Sequence, residues 1–325
     1  MGKIDLVDSF GRTISYLRIS VTDRCNLRCR YCMPSSGVEL IPNSEILRYE
    51  ELLKIINCFV LLGLRRVRFT GGEPLVREDF VPFLKKVKET FPSVRVSLTT
   101  NGILLKNFCK DLLNVNLDSL NVSLDTLDPS KYQYITRFGD IRDVWSGIEI
   151  FLENSFKVKL NVVTIRGFND DEIMEFVNIT KHTNLVVRFI EFMPVSSSIW
   201  KKENFISIDE IKEIIEKKYS LEKFDFESGS GPAKYFKLPW GGVIGFIGSI
   251  SHHFCGSCNR IRLTADGRIK TCLFGGPEVD LKKAIREGSD EENILLLIKR
   301  AIELKPRGWF DLKDRKLGPM SKIGG

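Results

Sequence analysis

The chain has 325 residues, 43% of them apolar, with 49 Lys and Arg against 42 Asp and Glu and a net charge of +7. That length and apolar content support a full-size core in one large α/β domain or two domains, and ordinary glycine and proline use excludes collagen-like and low-complexity chains. The modest positive balance suits an anionic substrate and lacks the dense basic stripe of a duplex-DNA binder; no basic-then-apolar leader follows Met1 and no apolar run is long enough to span a bilayer, so a soluble cytoplasmic protein that binds neither nucleic acid nor membrane is expected.

Residues 16–21 read as a first strand and residues 49–62 as a helix with apolar spacing. Residues 66–69 form a second predicted strand. A helix over 79–89 follows it and tolerates Pro82 in its first turn. Strands are predicted over 94–98, 120–124, 158–163 and 186–190, with helices at 144–153 and 171–180 among them. Such alternation implies parallel strands with helices packed outside. About six repeats fall short of the eight that close a full barrel. The expected fold class is therefore α/β, a partial (β/α)6-type TIM barrel with a C-terminal region closing its open side.

The predicted strand ends carry the unusual residues. Asp23, Arg24 and Cys25 follow the first strand, and Thr70-Gly71-Gly72-Glu73-Pro74 follows the second. Thr99 to Gly102 follow the third. Ser123 and Asp125, then Thr164 and Arg166, then Glu191 and Met193 end the next three. Ordinary turn chemistry accounts for any one of these loops. Together, beside three cysteines, they point to the C-terminal rim on which barrel chemistry is built.

Beyond residue 205 the pattern changes. Ser207 is a helix N-cap with Glu210 as capping-box partner, for a helix over 208–218. Residues 227–232 form a Gly- and Ser-rich turn, a charged helical stretch runs over 280–304, and the sequence ends in Gly324-Gly325. The expected division is residues 1–220 for the barrel and 221–325 for the C-terminal region. His182 and the four tryptophans read as surface and packing residues.

Six of the eight cysteines form two sets of three: Cys25, Cys29 and Cys32, spaced C-x3-C-x2-C, and Cys255, Cys258 and Cys272, spaced C-x2-C-x13-C. Cys58 and Cys109 lie in apolar helical runs and read as core thiols. A structural metal site closes with four protein ligands, whereas a reactive one leaves a position open. Iron–sulfur clusters ordinarily take four thiolates, so three would leave one iron exposed. Zinc is the alternative. The first set shows no evident fourth ligand, while the second could be completed by His252 or His253.

The first set, with Tyr31 inside it, resembles the signature of the radical S-adenosylmethionine (SAM) enzymes, and Gly71-Gly72-Glu73-Pro74 resembles that class's motif for the methionine amino group. The run from Ser251 to Gly267, the segments Val21 to Cys25 and Arg68 to Gly72, Phe192-Met193-Pro194 and the Gly-Gly tail resemble the GTP 3′,8-cyclase family of molybdenum cofactor biosynthesis. This resemblance spans the whole chain. It implies two [4Fe–4S] clusters, one on each cysteine set, with SAM on the first and GTP at the second. It implies SAM contacts at Tyr31, Gly72, Ser123 and Met193, GTP contacts at Arg18, Arg68, Thr99, Lys159, Arg260, Ile261 and Arg262, and a catalytic role for Gly324 and Gly325. The implied reaction is a radical conversion of GTP to (8S)-3′,8-cyclo-7,8-dihydroguanosine 5′-triphosphate. An electron donor, cyclic pyranopterin monophosphate synthase downstream and a homodimer are the implied partners. The alternative is a radical SAM maturase that modifies a peptide and carries an auxiliary cluster. No G-x4-G-K-[ST] run is present, so GTP is not held as in a P-loop enzyme.

Overall fold

The computed structural model describes residues 6–194, 199–226, 231–312 and 320. Gly324, Gly325 and most of the 227–232 turn lie outside the described residues. The chain packs as two compact units. One comprises residues 1–26, 36–98 and 255–325, and the other residues 27–35 and 99–254.

In the first unit, β1 (Tyr16–Ser20) leads to helix α1 (Tyr49–Leu61), β2 (Arg66–Thr70), α2 (Phe80–Thr90) and β3 (Arg95–Thr100). The second unit continues with α3 (Leu105–Val115), β4 (Ser119–Ser123), α4 (Pro129–Thr136), α5 (Ile141–Glu153), β5 (Val158–Thr164), α6 (Ile173–Ile179), β6 (Val186–Glu191), α7 (Ile208–Glu216), β7 (Glu222–Phe224), β8 (Lys234–Lys237) and β9 (Val243–Ile247). The chain then returns to the first unit with β10 (Arg260–Leu263), β11 (Arg268–Cys272), β12 (Gly275–Asp280), α8 (Leu281–Arg286) and α9 (Glu291–Glu303).

Both units use one design. In the first, β10, β1, β2 and β3 lie side by side and parallel, and β11 and β12 extend the β10 edge antiparallel. In the second, β4, β5, β6 and β9 are parallel, and β8 and β7 extend the β9 edge antiparallel. The six strands expected before residue 205 are all present. The later strands complete each sheet.

Parallel sheets are usually apolar on both faces, but these are not. In the first unit Leu17 and Ile19 of β1 with Val67 and Phe69 of β2, and in the second Leu120 and Val122 of β4 with Leu160 and Val162 of β5, are buried apolar residues on alternate positions of their strands. The alternate residues are polar: Tyr16 and Arg18, Arg66 and Arg68, Asn121 and Ser123, Lys159 and Asn161. Most of these are buried too, Arg68 at 5% exposure and Lys159 at 3%. A lone strand Arg or Lys is ordinarily solvent-exposed; here the sheets bury a polar face, which is costly unless its groups are bonded.

Local signals worked as expected at α7, where the Ser207 hydroxyl accepts from the Glu210 amide and the Glu210 carboxylate accepts from Ser207. The charged stretch over 280–304 is instead two helices. Gly288, at φ +84, turns the chain between α8 and α9, and the Asp290 side chain caps α9 by accepting from Asn293. Among the described residues no helix is long and apolar enough to cross a membrane.

Candidate active site

In the first unit the register of three parallel strands aligns three arginines. Arg18 of β1 stands level with Arg68 of β2 on one side and Arg262 of β10 on the other. One step back, Tyr16 is level with Arg66 and Arg260. Lys270 of β11 extends the row beyond Arg262. Burial, then the charge of Arg262, holds the Arg18 pKa well below the usual guanidinium value. Burial and Arg260 push Arg262 down to about 10. Tyr16 accepts a hydrogen bond from Arg68 Nε. Burial favours its neutral phenol, yet Arg68, Arg18 and Arg66 outweigh that effect and bring its pKa down to about 8. Like charges concentrated in this way suit a polyanion, and guanidinium groups suit phosphate oxygens.

The cysteines of the second set lie in the same unit. Cys255 feels both Cys272 and Cys258. Burial opposes ionisation of Cys258, but Arg260 and Lys305 draw its thiol down to about 7. An Arg260 Nη2 lies 4.0 Å from Cys258 Sγ. Around them, Arg12 donates to the carbonyls of Cys255, Arg307 and Pro306 at 2.7–2.8 Å, and is itself held by Asp8 at 2.6 Å. His252 is engaged elsewhere, 2.7 Å from Asp209. Among the described residues no three His, Cys, Asp or Glu side chains close to single-ion spacing. Three thiols in one unit, with Cys255 interacting with both of the others beside fixed cations, suit a cluster with one exposed iron.

The glycine pair of Gly71-Gly72-Glu73-Pro74 lies along the chain just before Cys25. Gly72 N–H donates to the Thr22 carbonyl at 2.7 Å and Glu73 N–H to that of Arg24 at 2.8 Å. A Cβ on Gly72 would stand 2.2 Å from the Arg24 carbonyl oxygen, so only glycine fits. The Glu73 carboxylate caps the following turn by accepting from Leu75 N–H.

In the second unit, the segment bearing Cys29 and Cys32 runs beside the end of α4. Arg28 and Arg30 N–H donate to the carbonyls of Thr136 and Ile135, and Arg137 donates to the carbonyls of Arg28 and Met33. Tyr31 donates to Asp125 Oδ2 at 2.6 Å, two residues beyond Ser123, and its ring meets Phe192 edge-on at 6.5 Å, next to Met193. Tyr31 therefore touches residues within two positions of Ser123, at the end of β4, and of Met193, beyond the end of β6. Asp125 also accepts from Val163 N–H at 2.9 Å, and burial raises its pKa to about 6. Lys159 lies 5.3 Å from the Phe226 ring, and Thr99 lies near the end of β3. Sequence reasoning passed over Tyr16, Arg66, Arg188 and Lys305, all buried. The alternation of Arg66 with Arg68, matching Arg260 with Arg262, could have revealed the first arginine.

Known proteins bear on this arrangement. Residues 19–179 match the Radical SAM superfamily model, and residues 185–310 match the Molybdenum Cofactor Synthesis C model. A GTP 3′,8-cyclase of Thermodesulfovibrio yellowstonii is 49% identical over 98% of this chain and 99% of its own length. One of Desulforamulus reducens is 45% identical over 98% and 100%. Among solved structures, Streptococcus suis SuiB bound to precursor peptide SuiA matches with a TM-score of 0.60 at 16% identity, covering 81% of this chain and 61% of that one. The fold is that of the radical SAM class.

Proposed function

Because this chain belongs to the GTP 3′,8-cyclase family of radical SAM enzymes, we propose a division of labour among its residues for that family's reaction. The enzyme carries two [4Fe–4S] clusters, uses S-adenosylmethionine, and converts GTP to (8S)-3′,8-cyclo-7,8-dihydroguanosine 5′-triphosphate in the first step of molybdenum cofactor biosynthesis. The first cluster with bound SAM supplies the radical chemistry.

Cys25, Cys29 and Cys32 hold the first cluster, and Cys255, Cys258 and Cys272 the second. Gly72 offers backbone to the SAM methionine group, with Tyr31, Ser123 and Met193 placing the rest. Arg18, Arg68, Arg260 and Arg262 hold the GTP anion, with Thr99, Lys159 and Ile261 as further contacts. The row Arg68–Arg18–Arg262, with Arg68 and Arg262 buried and Arg18 half-buried, carries this reading, because it concentrates positive charge that suits a triphosphate. Gly324 and Gly325 position groups for radical formation on GTP. Residues 1–220 form the radical barrel and 221–325 supply the second cluster. A cytoplasmic homodimer, an electron donor and cyclic pyranopterin monophosphate synthase as the next enzyme complete the proposal.

The alternative, a radical SAM maturase that modifies a peptide, has behind it only a likeness of fold to SuiB bound to its precursor peptide SuiA. Anaerobic incubation with SAM, reductant and either GTP or peptide separates the two. The proposal requires 5′-deoxyadenosine that depends on GTP, and formation that depends only on peptide would overturn it.

A further inference from the structure

Lys305 follows α9 and is 4% exposed. Its ammonium donates to the carbonyl of Arg260 at 2.9 Å and to that of Thr271 at 2.7 Å. Arg260 comes two residues after Cys258, and Thr271 immediately precedes Cys272. One side chain thus ties together the two antiparallel strands whose ends carry these cysteines.

Two carbonyls satisfy hydrogen bonds but not the charge. Lysine is almost never fully buried unless paired, and an uncompensated buried ammonium is strongly unfavourable. No carboxylate among the described residues forms an ion pair with Lys305. The negative groups acting on it are Cys258 and Cys272, while Arg12 and Arg260 add further positive charge. Arg12 differs, because Asp8 compensates it at 2.6 Å while it braces the Cys255 carbonyl. Without a cluster the buried lysine therefore has only the partly ionised Cys258 thiol and its neighbour Cys272 to offset its charge, and anionic cluster sulfur would complete the compensation.

We propose that Lys305 is the counter-ion of the second iron–sulfur centre, a positioning residue that fixes the backbone of Cys258 and Cys272 and favours the reduced cluster through its charge. This rests on reading Cys255, Cys258 and Cys272 as cluster ligands. Reduction adds negative charge to the cluster, and net charge and hydrogen bonding around the sulfurs set the potential, so a nearby fixed cation raises it.

The test uses full-length protein with Cys25, Cys29 and Cys32 replaced by Ala, reconstituted anaerobically with iron and sulfide, so that only the second centre can load. Lys305→Met removes the charge at similar volume, and Lys305→Arg keeps it. With about four irons bound, Lys305→Met lowers the reduction equilibrium at least tenfold, a shift of about 59 mV for a one-electron couple, while Lys305→Arg stays near the parent. Metal-free Lys305→Met melts at or above the metal-free parent, since the incompletely compensated charge is gone, and the order reverses once the cluster is loaded. An unchanged midpoint at full iron content overturns the proposal. Should Lys305→Met fail to retain iron, its metal-free melting decides: at or above the parent supports the proposal, and below the parent marks a merely structural lysine and overturns it. A parent that takes up no iron overturns the cluster reading and, with it, the proposal.

Discussion

The phenol of Tyr31 and the carboxylate of Asp125 share a 2.6 Å hydrogen bond that links the segment bearing Cys29 and Cys32 to the end of β4. Both groups are shifted against ionisation. Burial, then the Asp125 charge, raises Tyr31 well above the usual phenol value, and burial raises Asp125 to about 6.

Asp125 therefore has a predictable effect on stability. Its folded pKa lies above its ordinary value, so the native state holds the proton between about 4 and about 6. The stability it contributes is fully present at low pH and is lost as pH rises through about 6. Metal-free Asp125→Asn removes this titration, so its stability relative to the unmodified protein should climb between pH 4 and pH 6, by roughly 2–3 kcal/mol at most. Urea unfolding at the two pH values measures this. A difference that stays flat across the interval would show that Asp125 titrates normally.

The arginine row predicts opposite effects on binding and stability. Arg18→Ala or Arg262→Ala should weaken GTP binding about ten- to a hundredfold, the loss of a charge-assisted contact worth roughly 1.5–3 kcal/mol. Without GTP the same variants should melt no lower than the parent, because each relieves repulsion from its neighbours. Calorimetric titration and melting curves test both effects. Unchanged GTP affinity in both variants counts against their assignment.

Tyr16 makes GTP binding pH-dependent. Its lowered pKa means that the folded protein releases the phenol proton between about 8 and the ordinary value near 10, so its stabilising effect grows with pH across that window and is lost as pH falls through about 8. Bound triphosphate competes for the same arginines and restores the neutral phenol. GTP binding near pH 9 should thus take up a proton, and affinity should fall as pH rises above about 8. Titrations in buffers of different ionisation enthalpy detect the uptake. Tyr16→Phe should abolish it, and uptake that persists in the variant would place the proton elsewhere.

Gly72→Ala should cost S-adenosylmethionine binding far more than second-cluster loading. The added Cβ would meet the Arg24 oxygen at 2.2 Å, so the backbone before Cys25 has to move. The expected result is loss of 5′-deoxyadenosine formation with about four irons retained on the second cysteine set. Normal cleavage of S-adenosylmethionine by this variant would rule out the close approach.

The first six strands were legible because each is a short apolar alternation between turn residues. The Ser207–Glu210 cap was legible because capping is local chemistry. Gly288 was not recognised as a break, since an isolated glycine is tolerated inside a charged helical stretch and only its φ of +84 marks the turn. β7 and β8 are short and charged, β12 opens on Gly275-Gly276-Pro277, and all three acquire strand character only from their neighbours. At the site, cysteine spacing carried the chemistry. The burial of Arg68 and of Lys159, and the level alignment of Arg18 with Arg68, depend on strand pairing, which one strand's sequence does not contain. Tyr16 and Lys305 were hidden for the same reason, as each takes its meaning from residues more than thirty positions away.

The parallel pairing of β1 with β10 has a consequence for how the protein is made. Residues 16–20 leave the ribosome early, but their partner at 260–263 appears only after four-fifths of the chain has been translated. At roughly 5–20 residues per second, that strand edge stays open for tens of seconds at the slower rates. During that wait Arg18 has Arg68 beside it but not Arg262. The nascent chain therefore holds an unpaired edge and an incomplete anion cradle, one that inorganic phosphate or nucleotides in the cell could occupy while the last strands are still being synthesised.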